Sequence, residues 1–245
     1  TRMAHYLSAS AVSAKNLAEE KDAIKTLIGD ISHQTKTPIA NLLLYAKLLE
    51  EQDLPPESRE YVSALEHQAE KLRFLIDALV KTSRLESGVL AMTPKRHGIQ
   101  QLLDAASAQA APGAEAKAIT LTVEPTDLTA RFDPKWTAEA LYNLVDNAVK
   151  YTPAGGAVTL RAVGYELFCR VDVTDTGPGI PESEQARIFQ RFYRSPSASE
   201  AEGVGIGLYL ARQIAAGQGG YLKVSSRPGE GSTFSLFLPR AEERT

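Results

Sequence analysis

Two apolar seams with the spacing of paired helices set the strongest limit on how this chain can fold. From Ile24, apolar or small residues recur at Ile28, Ile31, Thr35, Pro38, Leu42, Tyr45 and Leu49 in steps of three and four, the repeat of a coiled-coil seam. The rhythm returns at Val62, Leu65, Ala69, Leu72, Ile76, Leu79 and Ser83. Between them, Asp53-Leu-Pro55-Pro56 ends one helix near Glu51 and opens the next near Glu57, because prolines break a helical pattern. So short a connection makes the helices antiparallel neighbours. Neither can bury both flanks of its seam against the other, and Leu75 and Val80 widen the stripe of the second. A homodimeric four-helix bundle covers the remainder; cover by the rest of the same chain is the alternative.

His33 lies midway between Ile31 and Thr35, so helical geometry points it away from the seam. A histidine kept for packing would sit on the apolar face, and this one is placed in solvent on a rigid rod, as a reactive imidazole needs. Pro38 removes the hydrogen bond to the Gln34 carbonyl at a cost of about 3 kcal/mol, and the strain falls on the turn carrying His33. Thr37, four residues on, sets a hydroxyl on the same face.

The chain's 245 residues are 43% apolar, enough for one large domain or two modest ones. A net charge of −3 gives no general nucleic-acid footprint. A single cysteine, Cys169, excludes an internal disulfide and suits a reducing compartment. No segment is long and apolar enough to cross a bilayer. Beginning at Thr1 rather than methionine, the chain reads as a cytoplasmic fragment whose upstream part lies elsewhere.

We divide it into a helical lead-in (1–20), a hairpin (21–87), a linker (88–96), a mixed α/β domain (97–240) and a tail (241–245). The pattern of the second domain predicts a helix near 100–111, strands near 119–124 and 129–133, and a helix over 134–151 capped by Asp133 and opened by Pro134. Strands follow at 157–163 and at 167–174, where Leu167, Cys169, Val171 and Val173 alternate inward against Phe168, Arg170 and Asp172. A last helix spans 204–217, ahead of strands at 220–226 and 232–238.

Four motifs on this frame carry chemistry. Asn143, Asn147 and Lys150 share one face of the 134–151 helix, opposite Leu144, Val145, Ala148 and Val149. Two amide oxygens beside an ammonium suit a magnesium-bound polyphosphate. Asp175-Thr-Gly177-Pro-Gly179 follows a strand; it is either a plain turn or a site where a carboxylate accepts from adenine's exocyclic amine, which guanine lacks at that position. Gly203-Val-Gly205-Ile-Gly207-Leu208 opens the last helix, where free amides and the helix dipole favour phosphate. Ile188-Phe189-Gln-Arg191-Phe192-Tyr193-Arg194 reads either as a lid with a phosphate-facing Arg194 or as a surface loop pinned by Phe189 and Phe192.

That order, with Ser32-His33-Gln34-Thr35-Lys36-Thr37-Pro38 ahead of it, resembles the catalytic core of bacterial two-component sensor histidine kinases. The resemblance implies an α+β architecture: an antiparallel hairpin forming a dimeric four-helix bundle, then a Bergerat-type ATP-binding α/β sandwich. It implies that ATP with Mg²⁺ is the cofactor, His33 the phosphorylated nucleophile and Asn147 the main Mg²⁺ ligand, with Asn143 assisting. Lys150 and Arg194 would contact phosphates, Tyr151 would line the pocket and Asp175 would bind adenine. Gly177, Gly179, Gly203, Gly205 and Gly207, with Leu208, would shape the site, and Thr233 lies in the closing Gly231-Ser-Thr-Phe segment. Thr37 matches the position that orients water for dephosphorylating the partner, a response regulator receiver domain. The resemblance also implies an upstream sensor anchored in the membrane. Many relatives carry an acid after the histidine, whereas here Gln34 can accept a hydrogen bond but no proton; Asp30 is the nearest substitute base. A non-catalytic ATP-responsive dimer and a phosphatase-dominant regulator are the rival readings.

Overall fold

The computed structural model describes residues 19, 23, 26–27, 29–31, 34–86, 92–195 and 204–240. The chain divides into two compact units, Thr1–Leu90 and Ala91–Thr245.

In the first unit, helix α1 is continuous over residues 34–50 and passes through Pro38. Helix α2 runs Pro56–Glu86. Ile39 and Leu43 of α1 form a buried cluster with Ala69 of α2, with Ile76 packed against it. Lys36 Nζ lies 2.9 Å from Asp77 Oδ1, so the two helices run antiparallel. Within one chain, the expected seam of α1 is not the flank that meets α2. Leu42, Tyr45 and Leu49 are exposed within the chain, as are Leu65, Leu72 and Leu79 of α2. One partner helix covers only part of an apolar stripe this wide, and here it covers the flank holding Ile39, Leu43 and Ala46.

The second unit begins earlier than expected. Strand β1, Lys95–Gly98, pairs antiparallel with β3, Thr129–Phe132, so Lys95 and Arg96 belong to a strand rather than to a linker. Helix α3, Ile99–Ala116, continues past Pro112, where the sequence reading ended it. A five-stranded sheet follows the order β2, β4, β5, β7, β6. Its strands are β2 (Thr120–Val123), β4 (Ala157–Gly164), β5 (Phe168–Asp175), β6 (Tyr221–Arg227) and β7 (Gly231–Pro239). Only β2 and β4 pair in parallel. Helix α4, Pro134–Tyr151, packs against α3, against β5 and against α6, Gly207–Gly217. A short helix α5, Glu182–Gln185, and a 3₁₀ turn at Arg187–Phe189 lie between β5 and α6. The core is the layer between helices and sheet, filled by Leu103, Leu141, Leu144, Leu160, Val171, Ile214, Leu236 and their neighbours.

Two expectations about β5 need correction. Leu167 is 72% exposed because it lies in the turn before the strand. Asp172, expected outside, is only 3% exposed. Arg170 and Arg161 lie 3.0 and 3.5 Å from its Oδ2, and the Ser235 hydroxyl donates to its Oδ1 at 2.6 Å, so side chains cover it on the open face of the sheet.

Candidate functional site

α4 presents the first half of the site. Its N-terminus is fixed by Asp133, whose Oδ1 accepts from the amides of Lys135 (3.1 Å) and Trp136 (3.3 Å). Burial pushes the Asp133 carboxyl up, but hydrogen bonds from Thr93, Trp136 and Lys135 outweigh it and hold the group below the usual carboxylate range. Its C-terminus is fixed by Lys117, whose Nζ donates to the carbonyls of Val149 (2.9 Å), Lys150 (2.8 Å) and Thr152 (2.6 Å). Cations favour this end of a helix dipole. With Leu141, Leu144, Val145 and Ala148 buried, the opposite face leaves Asn143, Asn147, Lys150 and Tyr151 half-buried.

Asn143 donates from Nδ2 to the Glu139 carbonyl at 2.9 Å, which leaves its Oδ1 toward α6. A Cβ at Gly207 would stand 2.9 Å from that oxygen, so only glycine lets the start of α6 come this close. Ile206, the residue before α6, gives that helix no side-chain cap. Leu208 sits half-buried in that first turn. Lys150 Nζ lies 5.2 Å over the Tyr151 ring. Burial pushes the Tyr151 phenol up, while the nearby Arg194 guanidinium works in the opposite direction. The charge of Arg194 is thus felt at the end of α4.

Asp175 closes the other half. It ends β5, is 6% exposed, and its Oδ1 accepts from the amides of Gly177 (2.8 Å) and Ser232 (3.2 Å). Both of these bonds go to the one oxygen, Oδ1. Burial raises the carboxyl above its usual value, against the lowering effect of those two amides. At Gly177 a Cβ would fall 2.7 Å from Asp175 Oδ1 and 3.3 Å from the Tyr151 carbonyl, so this turn links Asp175 to α4. Gly179 has φ +74° and would bring a Cβ within 2.0 Å of the Arg227 carbonyl.

The aromatic stretch anchors through Ile188 and Phe189, both buried, while Phe192 is 55% exposed and pins nothing. Arg191 donates to the Tyr209 hydroxyl at 3.1 Å. Phe192 N–H donates to the Gly205 carbonyl at 2.9 Å, and Gly205 itself has φ +73°.

Thr233 is placed differently from the other candidates. It lies opposite Thr174 on β5, and their hydroxyl oxygens are 3.0 Å apart. Side chains alternate along a strand, so both project from the face opposite Asp175. The hydroxyl that shares the Asp175 face is that of Ser232, 2.9 Å from the Ser226 oxygen. Sequence reading missed it because the β5–β7 register is a long-range fact. A hollow of about 270 Å³ lined by Thr174, Asp175, Ser226, Ser232 and Thr233 includes no residue of α4 or α6. Gln34 and Thr37 are exposed on α1. His33 and Gly203 lie outside the described residues.

Residues 23–88 match the His Kinase A (phospho-acceptor) domain, and residues 132–242 match the histidine kinase-, DNA gyrase B-, and HSP90-like ATPase domain. Together the two matches cover most of the chain, and it belongs to the sensor histidine kinases, as a catalytic core. Among curated relatives it is 34% identical over 239 residues to Sensor protein DivL of Caulobacter vibrioides, covering 96% of this chain and 31% of that protein. It is 29% identical over 219 residues to the Sensor-like histidine kinase SenX3 of Mycolicibacterium smegmatis, covering 88% of this chain and 57% of that protein. Among solved structures, full-length ShkA in complex with AMPPNP matches with TM-score 0.74 at 29% identity, over 90% of this chain and 47% of that one. The chain thus spans between about a third and somewhat over half the length of these proteins.

Proposed function

We propose that the second unit binds ATP with Mg²⁺ and that its γ-phosphoryl group passes to an imidazole nitrogen of His33. The bond from Pγ to the bridging oxygen breaks, the N–P bond forms, and ADP leaves. The observation that carries this reading is Asp175: a buried carboxylate with one oxygen fixed by two backbone amides, which leaves the second oxygen for a ligand donor. Adenine's exocyclic amine suits that oxygen. Asn143, whose Oδ1 faces Gly207 at the start of α6, and Asn147, one turn on along α4, supply hard amide oxygens, a donor set that fits a Mg²⁺ ion retaining waters and phosphate oxygens. Asn147, assisted by Asn143, would hold the ion, and it would supply charge neutralisation along the phosphates. Lys150 and Arg194 flank Tyr151 and serve the phosphates. ShkA, solved with AMPPNP bound, supports the nucleotide assignment by its similarity to this chain.

A histidine has an unperturbed pKa near 6.5, so much of a solvated imidazole is the neutral nucleophile at pH 7. From His33 the phosphoryl group goes on to an aspartate of a response regulator, and the exposed Thr37 serves the reverse, dephosphorylating step. The flank of Leu42, Tyr45, Leu65 and Leu72, exposed within one chain, is covered by a second copy in a homodimer. The longer protein is anchored in the cell membrane through its sensor.

The test is incubation with γ-labelled Mg-ATP. Label that is lost in acid, survives alkali and disappears in His33→Gln supports the reading; label that persists in His33→Gln overturns it.

A further inference from the structure

Helices α4 and α6 pack together and are bonded at a second point besides Asn143 and Gly207. Gln218 follows directly on α6 and is 7% exposed. Its Oε1 accepts from the backbone amide of Asp133, and from the Thr137 hydroxyl at 3.2 Å. Its Nε2 lies within donating distance of Thr137 Oγ1 (3.0 Å) and of the Ile214 carbonyl (3.2 Å). Thr137 is wholly buried in the first turn of α4. The end of α6 is therefore bonded to the beginning of α4, while the start of α6 touches the middle of α4 at Asn143. The chain entering the unit reaches the same corner. Thr93 donates through its amide to Asp133 Oδ2 at 3.0 Å, and a Cβ on Gly217 would lie 3.1 Å from Met92 Cε.

We propose that Gln218, with Thr137, is a positioning pair for the phosphate half of the nucleotide site. Both residues are buried, and neither is among those assigned above to nucleotide contact. Their role is to fix where α6 lies along α4, and with it the distance of the Gly205–Gly207 amides from Asn143. The physical reason is the cost of leaving polar groups unpaired in a dry place. Without the Gln218 amide, the Asp133 amide and the Thr137 hydroxyl have no protein partner, and they recover one only if α6 moves enough to admit water. At about 1.5 Å per residue α6 is a rod of roughly 16 Å, so displacement at its end is carried to Gly207. Losing one hydrogen bond to a charged phosphate weakens affinity by roughly ten- to a hundredfold. Asp175 sits on the sheet, so its adenine contact is unaffected. The proposal rests on the nucleotide reading above.

Its test compares ATP with adenosine, each titrated calorimetrically against the full 245-residue chain. Gln218→Met and Thr137→Val should each weaken Mg-ATP by roughly ten- to a hundredfold and leave adenosine within about twofold. Thr137→Ser keeps the hydroxyl and should restore ATP binding to near the original value. If Gln218→Met does not fold, the Thr137 pair decides alone. Parallel weakening of both ligands, or no weakening of ATP, overturns the positioning role and leaves the nucleotide reading intact. If the unaltered chain binds neither ligand, both fall.

Discussion

Replacing Asp175 by Asn separates what the buried carboxylate does for a ligand from what it does for the fold. Asparagine keeps one carbonyl oxygen, which can accept from the Gly177 and Ser232 amides as Oδ1 does now. With that oxygen so held, the Nδ2 group takes the place of Oδ2 and presents donors to an adenine amine, itself a donor. A hydrogen bond involving a charged group is worth about 1.5–3 kcal/mol, so ATP should bind roughly one to two decades more weakly, at about 1.4 kcal/mol per decade. Folding should respond in the opposite direction. The folded carboxyl lies above its ordinary value because burial penalises its charge. A group raised in this way supports the fold below its unfolded pKa, and that support is lost as pH rises through the folded pKa. Asparagine has no such dependence, so the variant should gain stability relative to the parent as pH climbs through the acidic range to neutrality. Titration calorimetry with ATP and urea unfolding between pH 4 and 7 measure both. Unchanged ATP affinity refutes the adenine assignment, and a variant that loses stability relative to the parent on going to neutral pH refutes the burial argument.

Three further outcomes follow from named contacts. Gly179→Ala should destabilise the second unit by more than the roughly 1–2 kcal/mol of a left-handed residue, since its Cβ would lie 2.0 Å from the Arg227 carbonyl; Gly155→Ala, at φ +76° in open space, should cost only the conformational part, and equal unfolding midpoints for the two would refute this. Asp133→Ala should remove about 0.5–2 kcal/mol of capping stability. Because the folded carboxyl is depressed, that difference should be full above the ordinary carboxylate pKa and vanish as pH falls through the folded value; a gap independent of pH in urea titrations would count against it. Leu72→Glu, on the exposed flank of α2, should weaken self-association at least tenfold by sedimentation while ATP affinity stays the same; an unaltered dimer would place the interface elsewhere.

Local chemistry was the part of this structure most readily seen in the sequence. Asp133 and Pro134 mark the start of α4 to the residue, and the DLPP stop separates α1 from α2, because capping and proline effects act within one turn of chain. Whatever depends on distant pairing was hidden. Ser232 lies opposite Asp175 only because β5 and β7 align in one register, and nothing local distinguishes it from Thr233. The flank of α1 that faces α2 could not be separated from its neighbour, since Leu42 and Leu43 read alike until the partner helix is in place. Gln218 is a polar residue beside two glycines in sequence, and its burial appears only where α6 meets α4.

Lys117 gives the second unit a fastening whose effect is cooperative. Its ammonium gathers three carbonyls from residues 149, 150 and 152, and its own carbonyl accepts from Gly155 at 3.0 Å. The approach to β2 and the exit from α4 are thus tied at one point although more than thirty residues separate them along the chain. Neither can fray alone, and in native-state hydrogen exchange the amides near 119 and near 152 should open in a single event. A ligand that stiffens Tyr151 would then be reported by slower exchange at the start of β2, on a strand it never touches.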